Sequence, residues 1–268
     1  GLGDVYKRQG KTICSWYDAE RKGQLIDTQT SYALPLAFHV VDGDLQKKMA
    51  AHLAAAIKTP MAGYPAYSLL TGFIGTAWIS KALSDNGMSE EAYRLLQYEG
   101  YPSWLYPVKN GATTIWERLN SYTVKDGFGE NNSMNSFNHY SFGAVASWMY
   151  NYSLGICRDE KSPGFKHFIL KPEVDPTRGI THAEGYYDSM YGRISSRWQY
   201  TDSGIRYEFT VPANTTASLY LPAPAVSFIS ENGKPLKKAS GVRYVSADKE
   251  LHHLELASGS YQFDIKQK

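Results

Sequence analysis

The sequence predicts a helical part to about residue 160, followed by an antiparallel β-sandwich over 161–268. Three observations carry this reading. From Leu25 to about Gly155, apolar residues recur every three or four positions, the period of amphipathic helices. After Cys157 the period shortens to two, that of half-buried strands. Between them lies Asp159–Gly164 (DEKSPG), polar and carrying Pro163 and Gly164, the composition of a linker.

Taken in order, Thr28–Val41 (TQTSYALPLAFHVV) predicts a mostly apolar helix kinked at Pro35, which lacks a backbone donor. Asp44–Ile57 follows the Asp42-Gly43 turn with Leu45, Met49, Leu53 and Ile57 on one face, and Asp44 is placed as its N-cap. Beyond the Gly-, Pro- and Tyr-rich loop Thr59–Tyr67, a helix over Gly72–Ser84 ends at Asp85-Asn86-Gly87, where glycine supplies the left-handed cap. Ser89–Gln97 carries Glu90 and Glu91 in its first turn, suited to the positive helix N-terminus, and turns Ala92, Leu95 and Leu96 inward. Glu117 is placed at the start of a further helix, and Tyr140–Leu154 is the last, closed by Gly155. These units read as helix pairs joined by short turns alternating with longer loops. Strands are expected at 168–170, 192–200, 205–211, 216–221, 242–245 and 261–265, with turn residues between them. Six or more short strands over about a hundred residues mean a sandwich.

Composition narrows the function classes. Charged residues make up 20% of the chain and its net charge is +2, with no basic stripe to meet nucleic acid. The longest apolar stretches are interrupted by polar residues, so none is read as spanning a membrane. Cys14 and Cys157, the only cysteines, make neither a disulfide framework nor a CxxC metal motif and are read as small buried hydrophobes. Aromatic content is high, with 21 Tyr, 10 Phe and 6 Trp. Such residues suit carbohydrate recognition, since their faces stack on C–H patches and their tips hydrogen-bond; an aromatic-rich core reads equally well. The opening run GLGDVYKRQ has no starting Met and no signal-peptide core. It resembles an artefactual end, so the natural protein is expected to begin upstream, and the compartment stays open.

The chemistry centres on Tyr101–Asn120 (YPSWLYPVKNGATTIWERLN). Glu117 follows Ile115 and Trp116, and Tyr101, Trp104 and Tyr106 lie close by in sequence. A carboxylate among apolar neighbours is costly to desolvate, so its protonation and partners are under control. It reads either as a general base or as a helix-terminal acid paired with a cation such as Arg118. His139, entering the last helix, reads either as a donor to a sugar hydroxyl or as a loop-capping residue. H-x-x-x-H, HExxH, GxSxG, P-loops and Asp-rich loops are absent from the sequence, so no metal or cofactor is implied.

Thr71–Thr76 (TGFIGT), Ala82–Gly87 (ALSDNG), Ala92-Tyr93, Tyr101–Trp104 (YPSW), Gly111–Arg118 (GATTIWER) and Asn138–Val145 (NHYSFGAV) occur in that order. Together they resemble the C-terminal part of bacterial α-L-rhamnosidases, glycoside hydrolases of the six-hairpin (α/α)6-barrel class that end in a β-sandwich. The likeness covers nearly all of the chain beyond about residue 25. It implies the C-terminal part of an (α/α)6 barrel over 1–160 and an end domain over 161–268. It also implies an inverting two-carboxylate hydrolysis of terminal α-L-rhamnosyl residues from glycosides or polysaccharides. The family's catalytic base falls on Glu117 and its rhamnose-contacting histidine on His139. Trp104 and Trp116 fall on aromatic motif positions, as substrate contacts or as packing of the site wall.

One departure from the pattern matters. The family's general acid lies in an Asp/Arg/Glu-rich motif far upstream, and nothing in this sequence resembles it; Glu20-Arg21 is too isolated. About half of the barrel is likewise absent, and the chain alone is expected to be inactive or nearly so. The rival readings are a non-catalytic carbohydrate-binding or scaffolding protein, and an inverting (α/α)6 glycosidase for another sugar. Tyr186, Tyr187, Tyr191 and Trp198 in the sandwich read as sugar contacts or, more in keeping with the likeness, as a structural cover.

Overall fold

The computed structural model describes residues 16–18, 24–26, 28–129 and 133–266. Cys14, Glu20-Arg21 and the opening nine residues fall outside them. The chain divides into two units, Gly1–Ala146 and Ser147–Lys268.

In the first unit, β1 (Trp16–Asp18) pairs antiparallel with β2 (Gln24–Ile26). Helix α1 (Gln29–Ala37) opens at Thr28, whose side chain accepts from Ser31 N–H while Ser31 Oγ accepts from Thr28 N–H. This is a capping box with serine in the third position. The helix ends at Ala37, short of the Val41 read from sequence. Pro35 removes one rung, and His39 takes a left-handed φ of 53°. Gln29 is buried, and both ends of its amide are used. Its Nε2 donates to Ser68 O and its Oε1 accepts from Leu70 N–H, each at 2.9 Å. The amide therefore ties the loop before the third helix to the start of the first.

Helix α2 (Gly43–Lys58) buries Met49, Leu53 and Ile57 at the expected spacing, with Leu45 half-buried. Asp42, not Asp44, occupies the cap position, without a side-chain cap bond; Asp44 lies in the first turn. There its charge still favours the helix dipole. Helix α3 (Gly72–Asp85) closes in a Schellman turn, with Gly87 N–H on Ser84 O and Met88 N–H on Leu83 O. Gly75 lets α1 approach α3: a Cβ there would sit 2.2 Å from Thr30 Oγ1. Helix α4 (Ser89–Gln97) buries Glu91, which pairs with Lys58 of α2. Helix α5 is the short Leu105–Lys109. A final helical run opens at Ser141–Ala144 as 3-10, becomes α6 over Val145–Trp148 and widens to a π-turn over Met149–Ser153. Residues 147–154 thus fall in the second unit, although the sequence pattern groups them with the helices.

The second unit holds two sheets. The strands are β3 (Ile156–Arg158), β4 (His167–Leu170), β5 (His182–Ser189), β6 (Gly192–Thr201), β7 (Gly204–Val211), β8 (Thr216–Pro222), β9 (Ile229–Glu231), β10 (Lys234–Pro235), β11 (Val242–Asp248), β12 (Leu251–Leu256) and β13 (Gly259–Lys266). The orders are β10-β9-β13-β7-β6-β5 and β11-β12-β8-β4-β3. Neighbours run antiparallel except β4 and β8, which are parallel, an exception to the all-antiparallel expectation. Alternate residues turn inward: Ile194, Trp198, Tyr207, Phe209 and Phe263 from one sheet, and Phe168, Leu170, Leu219, Leu221 and Leu254 from the other. Trp198 is fully buried and its indole N–H donates to Ser153 O, so it is core rather than a sugar platform. Tyr186, Tyr187 and Tyr191 remain exposed. Cys157 is half-buried rather than buried, with its thiol donating to Asn151 O.

Gly87 and Gly155 have similar positive φ, 74° and 68°, but different surroundings. A Cβ on Gly87 meets nothing within 4 Å, whereas one on Gly155 would sit 2.1 Å from Pro172 N. Gly87→Ala is expected to cost about 1 kcal/mol, from the backbone conformation alone. Gly155→Ala should cost roughly 3 kcal/mol or more, from overlap with main chain. Urea midpoints for the two variants check this; equal losses would show that the chain around Pro172 yields freely.

Candidate active site

Glu117 does not begin a helix. The described residues between 110 and 140 form no helix or named strand, and the β-branched run Thr113-Thr114-Ile115 is a poor helix former. Instead Ile115–Glu117 lies alongside Ser136–His139. Glu117 N–H donates to Ser136 O and His139 N–H donates to Ile115 O, both at 2.8 Å. Ser136 N–H donates to Glu117 Oε2 at 2.9 Å, where an antiparallel pair would otherwise use the main-chain carbonyl. Thr114 Oγ1 adds a bond to Phe137 O. The carboxylate is half-buried, with one oxygen held by backbone; among the described residues nothing bonds Oε1.

This clip carries Glu117 and His139 on facing segments. Trp116, between Ile115 and Glu117, is buried and points into aromatic packing. Its ring meets Phe137 edge-on at 5.2 Å and Tyr122 at 6.4 Å, and Phe128 closes the cluster against Tyr122 and Phe137. The His139 ring stacks on Phe73, with centroids 4.8 Å apart. Trp104 is buried, and its Nε1–H donates to Phe142 O at 2.9 Å, which fixes the start of the last helical run. Of the four residues singled out from sequence, the clip joins Glu117, Trp116 and His139, while Trp104 reaches the group through Phe142.

Two cations lie near the clip in sequence. Lys109 pairs with Glu99 at 2.6 Å, and Arg118 Nη2 donates to Asn135 Oδ1 at 3.2 Å. Tyr101 packs edge-on to Tyr106 and Tyr64. Burial, with smaller contributions from those two phenols, pushes its hydroxyl pKa up; Arg118 opposes the shift. At neutral pH Tyr101 is therefore a neutral hydroxyl. Among the described residues no group of three or more His, Cys, Asp or Glu could hold a metal ion, and no helix is long and apolar enough to cross a membrane. Sequence reasoning misses the part played by Phe73; the signal is its place in the string Thr71–Thr76.

A family profile described as the bacterial alpha-L-rhamnosidase 6 hairpin glycosidase domain matches residues 8–153. A second, the bacterial alpha-L-rhamnosidase C-terminal domain, matches residues 155–235. Curated relatives include an alpha-L-rhamnosidase of Streptomyces avermitilis, 34% identical over 98% of this chain and 24% of its own length. Another, from an Alteromonas species, is 34% identical over 97% of this chain and 26% of its own length. The chain thus spans about a quarter of the length of the curated relatives it matches. Among solved structures, the Streptomyces avermitilis alpha-L-rhamnosidase complexed with L-rhamnose superposes with a TM-score of 0.78 at 33% identity, covering 98% of this chain and 24% of that one. An Aspergillus terreus enzyme of the same name gives 0.73 at 25% identity, covering 98% and 26%.

Trp104→Phe keeps an aromatic ring but deletes the buried N–H donor. It is expected to lower stability by about 1–2 kcal/mol, read as a lower urea midpoint at unchanged slope. An unmoved midpoint would show that the bond to Phe142 O contributes nothing.

Proposed function

The chain belongs to the bacterial α-L-rhamnosidase six-hairpin family, and on that premise we propose that it supplies the base side of the active site in a longer α-L-rhamnosidase. The observation that carries the reading is the backbone clip that holds Glu117 and His139 together and leaves Glu117 Oε1 open to water.

In the proposed reaction, Glu117 Oε1 takes a proton from a water molecule as that water's oxygen attacks the anomeric carbon of a terminal α-L-rhamnosyl unit. The glycosidic C–O bond breaks on the opposite face, and a second carboxyl group protonates the departing oxygen. Anomeric configuration inverts. Room for the attacking water places the two carboxyl groups roughly 6.5–9.5 Å apart. The Ser136 N–H bond serves this by fixing Oε2, so that the other oxygen faces the water rather than rotating away. His139 hydrogen-bonds a sugar hydroxyl. Trp116 walls the site from beneath the clip, and Trp104 does so through Phe142. The acid comes from a part of the longer protein outside these 268 residues, since no motif here resembles the family's acid segment. The substrate class is a rhamnose-containing glycoside or polysaccharide, and the chemistry requires only water.

Assay of the 268-residue chain and of a longer protein containing it, on an aryl α-L-rhamnoside and a panel of other aryl glycosides, tests the whole reading. The longer protein should turn over the rhamnoside alone, and the chain by itself should show almost none. Strong turnover by the chain would remove the missing-acid proposal, and preference for another sugar would remove the rhamnoside one. Within the longer protein, Glu117→Gln is expected to lower kcat by roughly 10²–10⁴-fold; near-normal kcat would return Glu117 to a structural role. His139→Ala should raise KM, and unchanged kinetics would place the imidazole outside the site.

A further inference from the structure

Phe73, in the Thr71–Thr76 string, has no part in the reaction proposed above, yet its position is tightly set. It is the second residue of α3, whose start is held by Thr30 Oγ1 donating to Thr71 O at 2.7 Å and by the close approach of α1 at Gly75. From there its ring lies almost parallel to the His139 imidazole, at 4.8 Å and 25°. It is also edge-on to Phe142, at 5.5 Å and 68°. The Tyr140 ring is parallel to the same imidazole at 5.8 Å and 7°. Phe142 is itself anchored by the Trp104 indole N–H on its carbonyl. Thus packing that begins at Trp104 ends on the flat face of His139.

The imidazole edge is constrained as well. Ser141 N–H donates to His139 Nδ1 at 3.4 Å. A ring nitrogen that accepts a hydrogen bond carries no proton, so the neutral ring keeps its proton on Nε2. Stacking against Phe73 and Tyr140 opposes the ring flip that would put Cδ2 in the place of Nδ1 and break that bond. We propose that Phe73, together with the Ser141 N–H, is a positioning group that keeps the neutral form of His139 in its Nε2–H tautomer, so that the site selects a hydrogen-bond acceptor such as a sugar oxygen at that point. An ammonium group of an amino sugar has no lone pair to offer there. The selectivity rests on the reading of His139 as the sugar contact; the tautomer does not.

Two measurements test this separately. The first is long-range proton–nitrogen correlation on the chain labelled with 15N-histidine, with His139 assigned by its loss in His139→Ala. Wild type should show His139 as a single Nε2–H tautomer, Phe73→Tyr the same, and Phe73→Leu a mixture of both. A wild-type proton on Nδ1, or a pure Nε2–H tautomer persisting in Phe73→Leu, overturns the proposal. The wild-type spectrum alone reveals the first of these outcomes even if Phe73→Leu does not fold. The second measurement is steady-state kinetics in the longer protein. Phe73→Leu should raise KM about tenfold with kcat within about twofold, Phe73→Tyr should restore KM, and Phe73→Leu should add nothing to His139→Ala. Additive effects in the double variant would overturn coupling through His139. If His139→Ala leaves KM at the wild-type value, the sugar-contact reading fails while the tautomer result stands, so the two failures are distinguishable.

Discussion

The candidate site depends on a few hydrogen bonds between two segments that have no regular structure of their own. Ile115–Glu117 and Ser136–His139 meet through Glu117 N–H on Ser136 O and His139 N–H on Ile115 O. A loop carries backbone donors and acceptors that must find partners, and here they find them across the loop rather than along it. The consequence is geometric. A helix would project Glu117 and its neighbours at fixed angles about one axis, whereas the clip sets the carboxylate and the imidazole on opposed segments. Glu117 joins the clip with its own side chain, committing Oε2 to Ser136 N–H. The same contact that closes the loop thus orients the acid.

The tryptophans singled out in the sequence are packed inside their own units. Trp116 packs into the Tyr122, Phe128 and Phe137 cluster, Trp104 anchors Phe142, and Trp198 donates its N–H to Ser153 O in the sandwich core. Each is a large ring whose polar tip or edge has a partner inside the protein, as buried aromatics require. In the helical unit the rings under the clip hold the polar groups above them in place.

Much of this is legible in the sequence, and what is not has identifiable causes. The helices at 43–58, 72–85 and 89–97 follow their apolar period because each buries one stripe. The string GATTIWER reads as a helix start because Glu after an apolar pair resembles a first-turn acid. Its β-branched residues and the pairing with residues 19 or more positions away decide otherwise, and long-range pairing leaves no periodic mark. Strand β5 escapes because it is an edge strand in which no residue is fully buried, and its sequence HAEGYYDS carries no apolar–polar alternation. The end of α1 is overrun because Phe38, Val40 and Val41 continue the apolar run beyond the last helical residue. Glu117 and His139 stand out by resemblance, since composition leaves each with a bland alternative. Phe73 does not, because its contact with His139 joins residues far apart in sequence.

The surroundings of the clip bear on how much Glu117 can do. Large apolar side chains immediately beside the site residues are exposed: Ile74 next to Phe73, Ile115 next to Trp116, and Tyr140 next to His139. Fixed charges and dipoles act strongly on a reacting group only where water is excluded, because the effective dielectric falls there. With those side chains in solvent, water reaches the clip and keeps the effective dielectric around Glu117 and His139 high. An apolar covering over Ile74, Ile115 and Tyr140 would bury the three side chains and dry the clip in one step. On the function proposed above, the rest of a barrel packed against these residues would do more than contribute a second carboxyl group. It would create the low-dielectric setting in which a carboxylate held by a single backbone N–H can act as a base on one chosen water.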